Sequence, residues 1–208
     1  MMLAKKTAAT IRGEISDGVY SPGQSLNEVH IAAEYNVSRN TLREAFAMLV
    51  TERLVERIAH RGVFIVTPDV DFVADLYRAR IALETAGAQW GSELDAQRLL
   101  SLTSQATQAA AEGDVDTVSA LNQQFHRTIV EASGSETLNR EMDNLLARMR
   151  LTFLLVLPIY PTVHSDWVKP NAQIAQLLAD NKRAEAARLL HETLNHTFQT
   201  ICAVLQRL

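Results

Sequence analysis

The stretch of sequence that decides the fold is residues 37–50, VSRNTLREAFAMLV. Its apolar residues recur three and four positions apart, which predicts an amphipathic helix running to about Arg53. The predicted inward face of this helix consists of Leu42, Ala45, Phe46 and Leu49. Ser38 precedes the periodic residues and is a residue type that caps helix starts. The spacing of the polar residues places three of them on the opposite face, namely Arg39, Asn40 and Arg43.

Two more helices and a hairpin are predicted around this segment. Before it, Ile11, Ile15 and Val19 lie four residues apart on one predicted helical face, and the helix is expected to end at Gly18 and the Ser21-Pro22-Gly23 turn. Asn27 can cap a second helix. After it, strands are expected over residues 54–58 and 62–67, joined by a tight connection. This order of elements, two helices, a short turn, a third helix and a hairpin, is that of a winged helix-turn-helix.

The polar residues of this unit suit contact with DNA. A major groove admits one helix, whose first residues reach the base edges. Arg39 and Arg43 can pair with guanine or phosphate, and Asn40 can pair with adenine or bind phosphate. Phosphate contacts are expected from Ser38 and Thr41, and the basic hairpin tip is formed by His60, Arg61 and Gly62. The alternative is a helix face that is merely solvated.

Composition limits the class of protein. The chain has 208 residues, of which 47% are hydrophobic and 21% charged, as in an ordinary globular protein of one or two domains. A single cysteine, Cys202, excludes an intramolecular disulfide framework. No apolar run approaches the roughly 20 residues that a membrane span needs, and the first residues lack the apolar core of a signal peptide. We therefore expect a cytoplasmic protein without a membrane partner.

The rest of the chain is predicted to be entirely helical. Pro68 favours an extended residue before it, so the winged unit is assigned to residues 1–68 and a helical bundle to residues 69–208. Six helices are expected, roughly over 71–91, 95–112, 114–133, 136–157, 165–180 and 182–206. The predicted fold class is mainly α.

Three segments of the first unit resemble the GntR superfamily of bacterial transcriptional regulators. They are residues 21–28, SPGQSLNE, residues 37–45, VSRNTLREA, and residues 60–66, HRGVFIV. The resemblance implies that Arg39 and Arg43 make the main DNA contacts, with the wing in the minor groove. The chain departs from the family pattern at Asn40-Thr41, where Thr-Pro is commonest, and at Arg53, where Gly is usual.

The second unit resembles the FCD effector domain of the FadR-type branch. The similar segments are residues 75–84, DLYRARIALE, residues 122–126, NQQFH, and residues 184–190, AEAARLL. In its number of predicted helices, six instead of seven, the second unit resembles the VanR-type subgroup most. The resemblance implies a homodimer that binds a palindromic operator and responds to a small molecule.

Many members of this branch hold a divalent metal with one Asp and three His. The corresponding residues here are Asn122, His126, Asn171 and Thr193, so one of the four ligands is retained. Amide and hydroxyl groups bind transition metals weakly, so no cofactor is expected. A metal site remains possible only if His196, or His191, joins His126.

These positions are expected instead to hydrogen-bond a small polar effector. Its carboxylate is expected to pair with Arg80, or with Arg148 and Arg150. The alternatives are that Arg80 forms an internal salt bridge with Glu84 and that His126 is a satisfied core residue.

The resulting functional prediction is a ligand-responsive transcriptional regulator, a repressor relieved by a small organic or sugar acid. One alternative is a DNA-binding regulator whose effector pocket has decayed. The other is an all-α enzyme, although the sequence contains no P-loop, no HExxH motif and no nucleophile with a partnered base.

Overall fold

The structure is a computed structural model that describes residues 2–207, which form nine α-helices and three β-strands. These residues divide into two compact units. The first extends to Pro68 and also includes Leu146–Leu155, and the second comprises Asp69–Leu145 and the chain from Val156 onward. Within residues 2–207, no helix has the length and apolarity needed to cross a membrane.

Three helices of the first unit form the predicted helix-turn-helix core. They are α1 (Met2–Asp17), α2 (Glu28–Glu34) and α3 (Arg39–Thr51). Both predicted caps are present, because the Asn27 side chain accepts from the first turn of α2 and the Ser38 side chain accepts from Thr41 N. The predicted inward face of α3 is fully buried. Ala147 and Leu151 pack into the same core.

The wing is a three-stranded antiparallel sheet with the order β1-β3-β2. Its strands are β1 (Ser25–Leu26), β2 (Val55–Ile58) and β3 (Gly62–Ile65). In the hairpin β2-β3, Val55 lies opposite Ile65 and Ile58 lies opposite Gly62, and this hairpin was predicted. The strand β1 was not, because two residues are too few to show an alternating pattern.

One prediction for the first helix is wrong. Helix α1 ends at Asp17, and Val19 lies beyond it with 63% of its surface exposed. Gly18 adopts a φ of +82°, a left-handed conformation that terminates the helix and turns Val19 off the apolar face.

The chain after Pro68 forms the six predicted helices. They are α4 (Val70–Trp90), α5 (Ala96–Glu112), α6 (Val115–Glu131), α7 (Glu136–Val156), α8 (Val168–Ala179) and α9 (Arg183–Leu205). The fifth predicted stretch begins with a separate 3-10 turn, Ser165–Trp167. Helix α4 packs mainly on α9, and α5 packs on α6 and α8.

Helices α4 and α6 approach each other closely at Gly87. A Cβ atom there would lie 2.4 Å from the carbonyl oxygen of Ile129, so only glycine fits. This close approach lies one helical turn beyond Glu84 on α4 and His126 on α6, and it brings the two side chains within hydrogen-bonding distance.

Candidate functional site

The outward face of α3 presents the predicted polar residues to solvent. Arg39, Asn40 and Arg43 are exposed, at the start of a helix whose first turn is capped. The hydroxyls of Ser38 and Thr41 lie 2.9 Å apart, and Ser38 also accepts from Thr41 N at 3.0 Å. The N-terminal end of α3 is therefore fixed in orientation while its long side chains remain accessible.

Two residues of this face have polar partners within the unit. Arg43 Nε donates to Glu28 Oε2 at 2.9 Å, and Asn40 Nδ2 donates to Glu44 Oε1 at 3.2 Å. In addition, Arg57 Nη2 donates to the carbonyl oxygen of Arg43 at 3.4 Å, which ties the wing strand β2 to α3. The sequence analysis missed Glu28 and Arg57, the two residues that contact Arg43. They lie 15 and 14 residues from it, and the sequence does not show contacts over such distances.

The predicted wing tip is also exposed. His60 and Gly62 adopt left-handed conformations, with φ of +60° and +109°. Nothing lies within 4 Å of a Cβ atom added at Gly62. The Arg61 guanidinium lies 5.3 Å from the centroid of the Phe64 ring, a cation–π distance that orients the charge at the tip. The tip therefore offers one oriented cation.

The structure gives a reason for the glycine that is usual at position 53. Arg53 follows α3 with a φ of +59°, in the left-handed region. This conformation costs an L-residue roughly 1–2 kcal/mol, whereas glycine adopts it freely. Arg53 therefore occupies a strained position at the junction of α3 with the wing.

A second polar cluster lies inside the other unit. Arg80 Nε donates to Glu84 Oε1 at 2.8 Å, and His126 Nδ1 lies 2.6 Å from Glu84 Oε2. All three side chains are buried. The internal pairing of Arg80 with Glu84 is therefore the arrangement present, and Arg80 Nη2 has no hydrogen-bond partner among the described residues.

The charges of this cluster balance internally. Burial alone would raise the pKa of Glu84, but Arg80 and His126 together hold that pKa below its usual range. Burial lowers the pKa of His126, although Glu84 opposes the shift. Glu84 is thus ionised and His126 neutral near pH 7. Because a carboxylate can only accept, the imidazole proton lies on Nδ1.

Two more of the predicted effector residues meet directly. Asn171 Nδ2 on α8 donates to Asn122 Oδ1 on α6 at 2.8 Å. Both residues line a small cavity of about 10 Å³, together with Thr103, Phe125, His164 and Val168. Such a volume holds about one water molecule. An adjoining cavity of about 90 Å³ shares Val118 and His164 with it and is also lined by Asp114.

The remaining predicted effector residues are not brought to this cavity. Thr193 is half-buried on α9, and the structure shows its backbone carbonyl accepting from Thr197. His196 is exposed, with its ring centroid 5.8 Å from that of Trp167. Arg148 and Arg150 are buried within the segment that belongs to the first unit.

The four positions that correspond to the family's metal ligands do not fit a metal. Two of them are amides that hydrogen-bond each other, one is a hydroxyl, and His126 has Glu84 as its partner. In residues 2–207, no three His, Cys, Asp or Glu side chains are grouped to hold an ion.

Family models match most of the chain. Residues 3–65 match the model described as bacterial regulatory proteins, gntR family, and residues 75–196 match the FCD domain. The first match contains the helix-turn-helix and the wing, and the second contains the buried charge cluster and the cavity.

Individual relatives agree with these models. The chain is 26% identical over 190 residues to the Nta operon transcriptional regulator of Aminobacter aminovorans, which covers 90% of this chain and 89% of that protein. It is 28% identical over 154 residues to the gluconate operon transcriptional repressor of Bacillus subtilis, covering 72% and 63%. A crystal structure from Rhodococcus sp. RHA1, described as a transcriptional regulator GntR, has a TM-score of 0.84 and 28% identity, covering 98% and 99%.

Proposed function

The chain belongs to the GntR family of bacterial regulatory proteins with an FCD domain, and from this premise we propose that it is a ligand-responsive repressor. As a homodimer, it binds a palindromic operator, because a two-fold dimer presents two identical α3 helices to matched half-sites. The family and the relatives are transcriptional regulators, not enzymes. The six helices of the FCD domain favour the VanR-type subgroup.

The observation that carries DNA binding is the exposed polar face of α3. Arg39, Asn40 and Arg43 project from a capped helix start, where a recognition helix contacts base edges. The oriented cation of Arg61 on the exposed wing tip provides a contact for a narrow, negatively charged minor groove. Since a protein that binds an operator must reach bacterial DNA, we propose that it acts in the cytoplasm.

Repression relieved by a small molecule is supported by the relatives and by the cavity. A relative is named as the repressor of a gluconate operon, which makes a polyhydroxy acid one class of effector to test. The buried Asn122–Asn171 pair provides hydrogen-bonding groups beside a cavity in the FCD domain. We propose that this response needs no metal, because two amides and a hydroxyl replace three ligands.

The test is selection of DNA by the purified full-length protein from a pool of random duplexes. The proposal predicts enrichment of one two-fold symmetric sequence, bound by two chains per duplex. Its affinity should fall steeply as salt concentration rises, because phosphate contacts release counterions. A pool without an enriched sequence, or a selected site without symmetry bound by one chain, would contradict the proposal.

A further inference from the structure

Two of the polar side chains that line the cavity, Thr103 and Asn171, present acceptors. Asn171 is 5% exposed, and its Oδ1 has no hydrogen-bond partner among the described residues. The hydroxyl of Thr103 donates to backbone carbonyls of its own helix, at 3.1 Å from both Leu99 O and Leu100 O. Its proton is therefore already used, and its oxygen can only accept. A buried acceptor that lacks a donor costs free energy. The side chains that line the cavity therefore favour a ligand that brings an N–H or O–H group.

The amide pair supplies one donor next to these acceptors. The bond between the two side chains uses one N–H of Asn171 and the oxygen of Asn122. Asn122 keeps its own NH2 group, and Asn171 keeps its carbonyl oxygen. The pair therefore leaves one acceptor, Asn171 Oδ1, and one donor group, the NH2 of Asn122. A ligand amide, with its own adjacent N–H and C=O, complements that arrangement.

The charges around the cavity oppose an anionic ligand. Among the described residues that line the two cavities, none is Lys or Arg, His164 is the one basic side chain, and Asp114 lines the outer cavity. Hydrogen bonds from Thr117 lower the pKa of Asp114, so it is ionised. The positive charge of Arg80 is already matched by Glu84. A carboxylate entering the inner cavity would be buried without a Lys or Arg counterion, and that costs far more than burial of a neutral group.

We propose that this cavity binds an uncharged molecule that presents an N–H donor beside a carbonyl acceptor, that is, an amide or a lactam, in preference to a carboxylate. This inference rests on the proposed function, and it assigns the effector a neutral amide in place of the polyhydroxy acid that the gluconate relative suggests. The apolar side chains of Leu102, Leu121, Phe125 and Val168 would surround the rest of such a molecule. The cavity must widen to admit it, and the adjoining cavity of about 90 Å³ supplies space for that change.

The experiment compares ligands of nearly equal shape that differ in charge. Thermal unfolding of the full-length protein, without DNA, is followed with acetamide, acetate and acetamidine, and with benzamide, benzoate and benzamidine. A ligand that binds the folded state raises the unfolding midpoint. We expect at least one amide to bind about tenfold more tightly than its acid and its amidine, since only the amide both donates and accepts without a buried charge.

Three results would overturn the inference. They are tighter binding of an acid, tighter binding of an amidine, and no stabilisation by either amide up to about 50 mM, where millimolar ligands are detected. Selection of DNA by the same protein is a separate readout. A protein that selects a palindrome but prefers benzoate keeps the proposed function and loses this inference. A protein that selects no DNA loses the proposed function whatever it binds.

Variants of the amide pair locate the site. N171L replaces the amide by an apolar group of similar size and should reduce amide binding about tenfold. N171D places a negative charge in the lining of the cavity and should change the preference from the amide to the amidine. A purely structural role of Asn171 would not produce that change. N195L removes an amide from the half-exposed surface of α9 and should leave binding unchanged. Unchanged binding in both Asn171 variants would overturn the assignment.

Discussion

The guanidinium of Arg43 on α3 is held by the carboxylate of Glu28, with 2.9 Å between Arg43 Nε and Glu28 Oε2. Arg43 is more than half exposed, whereas Glu28 is 20% exposed. An exposed pair of this kind contributes little to stability. Its proposed consequence is for DNA binding, because an Arg43 that contacts the operator must exchange the carboxylate for a base edge or a phosphate.

We predict that E28Q increases affinity for the selected operator by about threefold to tenfold at low salt. The substitution releases Arg43 and removes a negative charge that faces the DNA phosphates. The measurement is fluorescence anisotropy with labelled duplex. The matched control is E34Q, which removes an exposed carboxylate from the same helix α2. An equal gain in both variants would show that net charge, not the pairing with Arg43, limits affinity.

We predict that R53G is more stable than R53A. Both substitutions remove the same side-chain interactions, so the comparison isolates the backbone at φ of +59°. Glycine should be favoured by about 1 kcal/mol in the free energy of unfolding, because a Cβ atom is strained in the left-handed region. Chemical denaturation of the full chain measures the difference. Equal stability of the two variants, or greater stability of R53A, would contradict the assigned conformation.

The sequence was sufficient for the fold and for the exposed polar face of α3 because both depend on local patterns. Cap residues and the three- and four-residue apolar spacing located the start of α2 and both ends of α3 to within a residue or two. The failure at Val19 has a local cause as well, since Gly18 adopts a left-handed conformation that apolar spacing does not reveal. The two-residue strand β1 forms only by pairing with β3, which the sequence around it does not specify.

We predict that R80M destabilises the FCD domain by about 3–5 kcal/mol, because it leaves the Glu84 carboxylate buried without its cation. The double variant R80M/E84M should recover a large part of this loss, since it removes both charges together. Urea unfolding followed by tryptophan fluorescence reports this unit, which contains Trp90 and Trp167. A double variant less stable than R80M would contradict the balance of charges within the cluster.

We predict that the stability of this domain falls on acidification below about pH 6.5. The folded state lowers the pKa of His126 from 6.5, so the unfolded chain binds a proton that the folded chain excludes. Stability is therefore complete above pH 6.5 and declines below it, by up to about 1.4 kcal/mol per pH unit. The lowered pKa of Glu84 adds a loss at still lower pH.

The variants H126Q and H191Q separate this contribution from that of other histidines. His191 is exposed, so H191Q should retain the dependence of the unfolding free energy on pH. H126Q should be less stable at pH 8 and lose less stability between pH 7 and pH 5. If H126Q kept the wild-type slope, the neutral state assigned to His126 would be wrong.

The candidate effector site was less predictable because it depends on contacts between helices. Asn122 and Asn171 were singled out by their positions, but 49 residues separate them and only the structure shows their hydrogen bond. The sequence left open whether Arg80 faces a ligand or Glu84, since an i, i+4 spacing permits either. Thr193 and His196 lie on one helix with the correct spacing for a shared face, yet neither lines the cavity.

The most direct test of the account is the affinity of the selected operator for R39A, R43A and the double variant. Each single substitution should weaken binding by about 1–3 kcal/mol if these residues contact bases, and the double variant should also lose discrimination between the operator and random duplex. R188A, which removes an exposed arginine from α9, should bind like the wild type. Wild-type affinity and specificity in the double variant would contradict the assignment of α3 as the recognition helix.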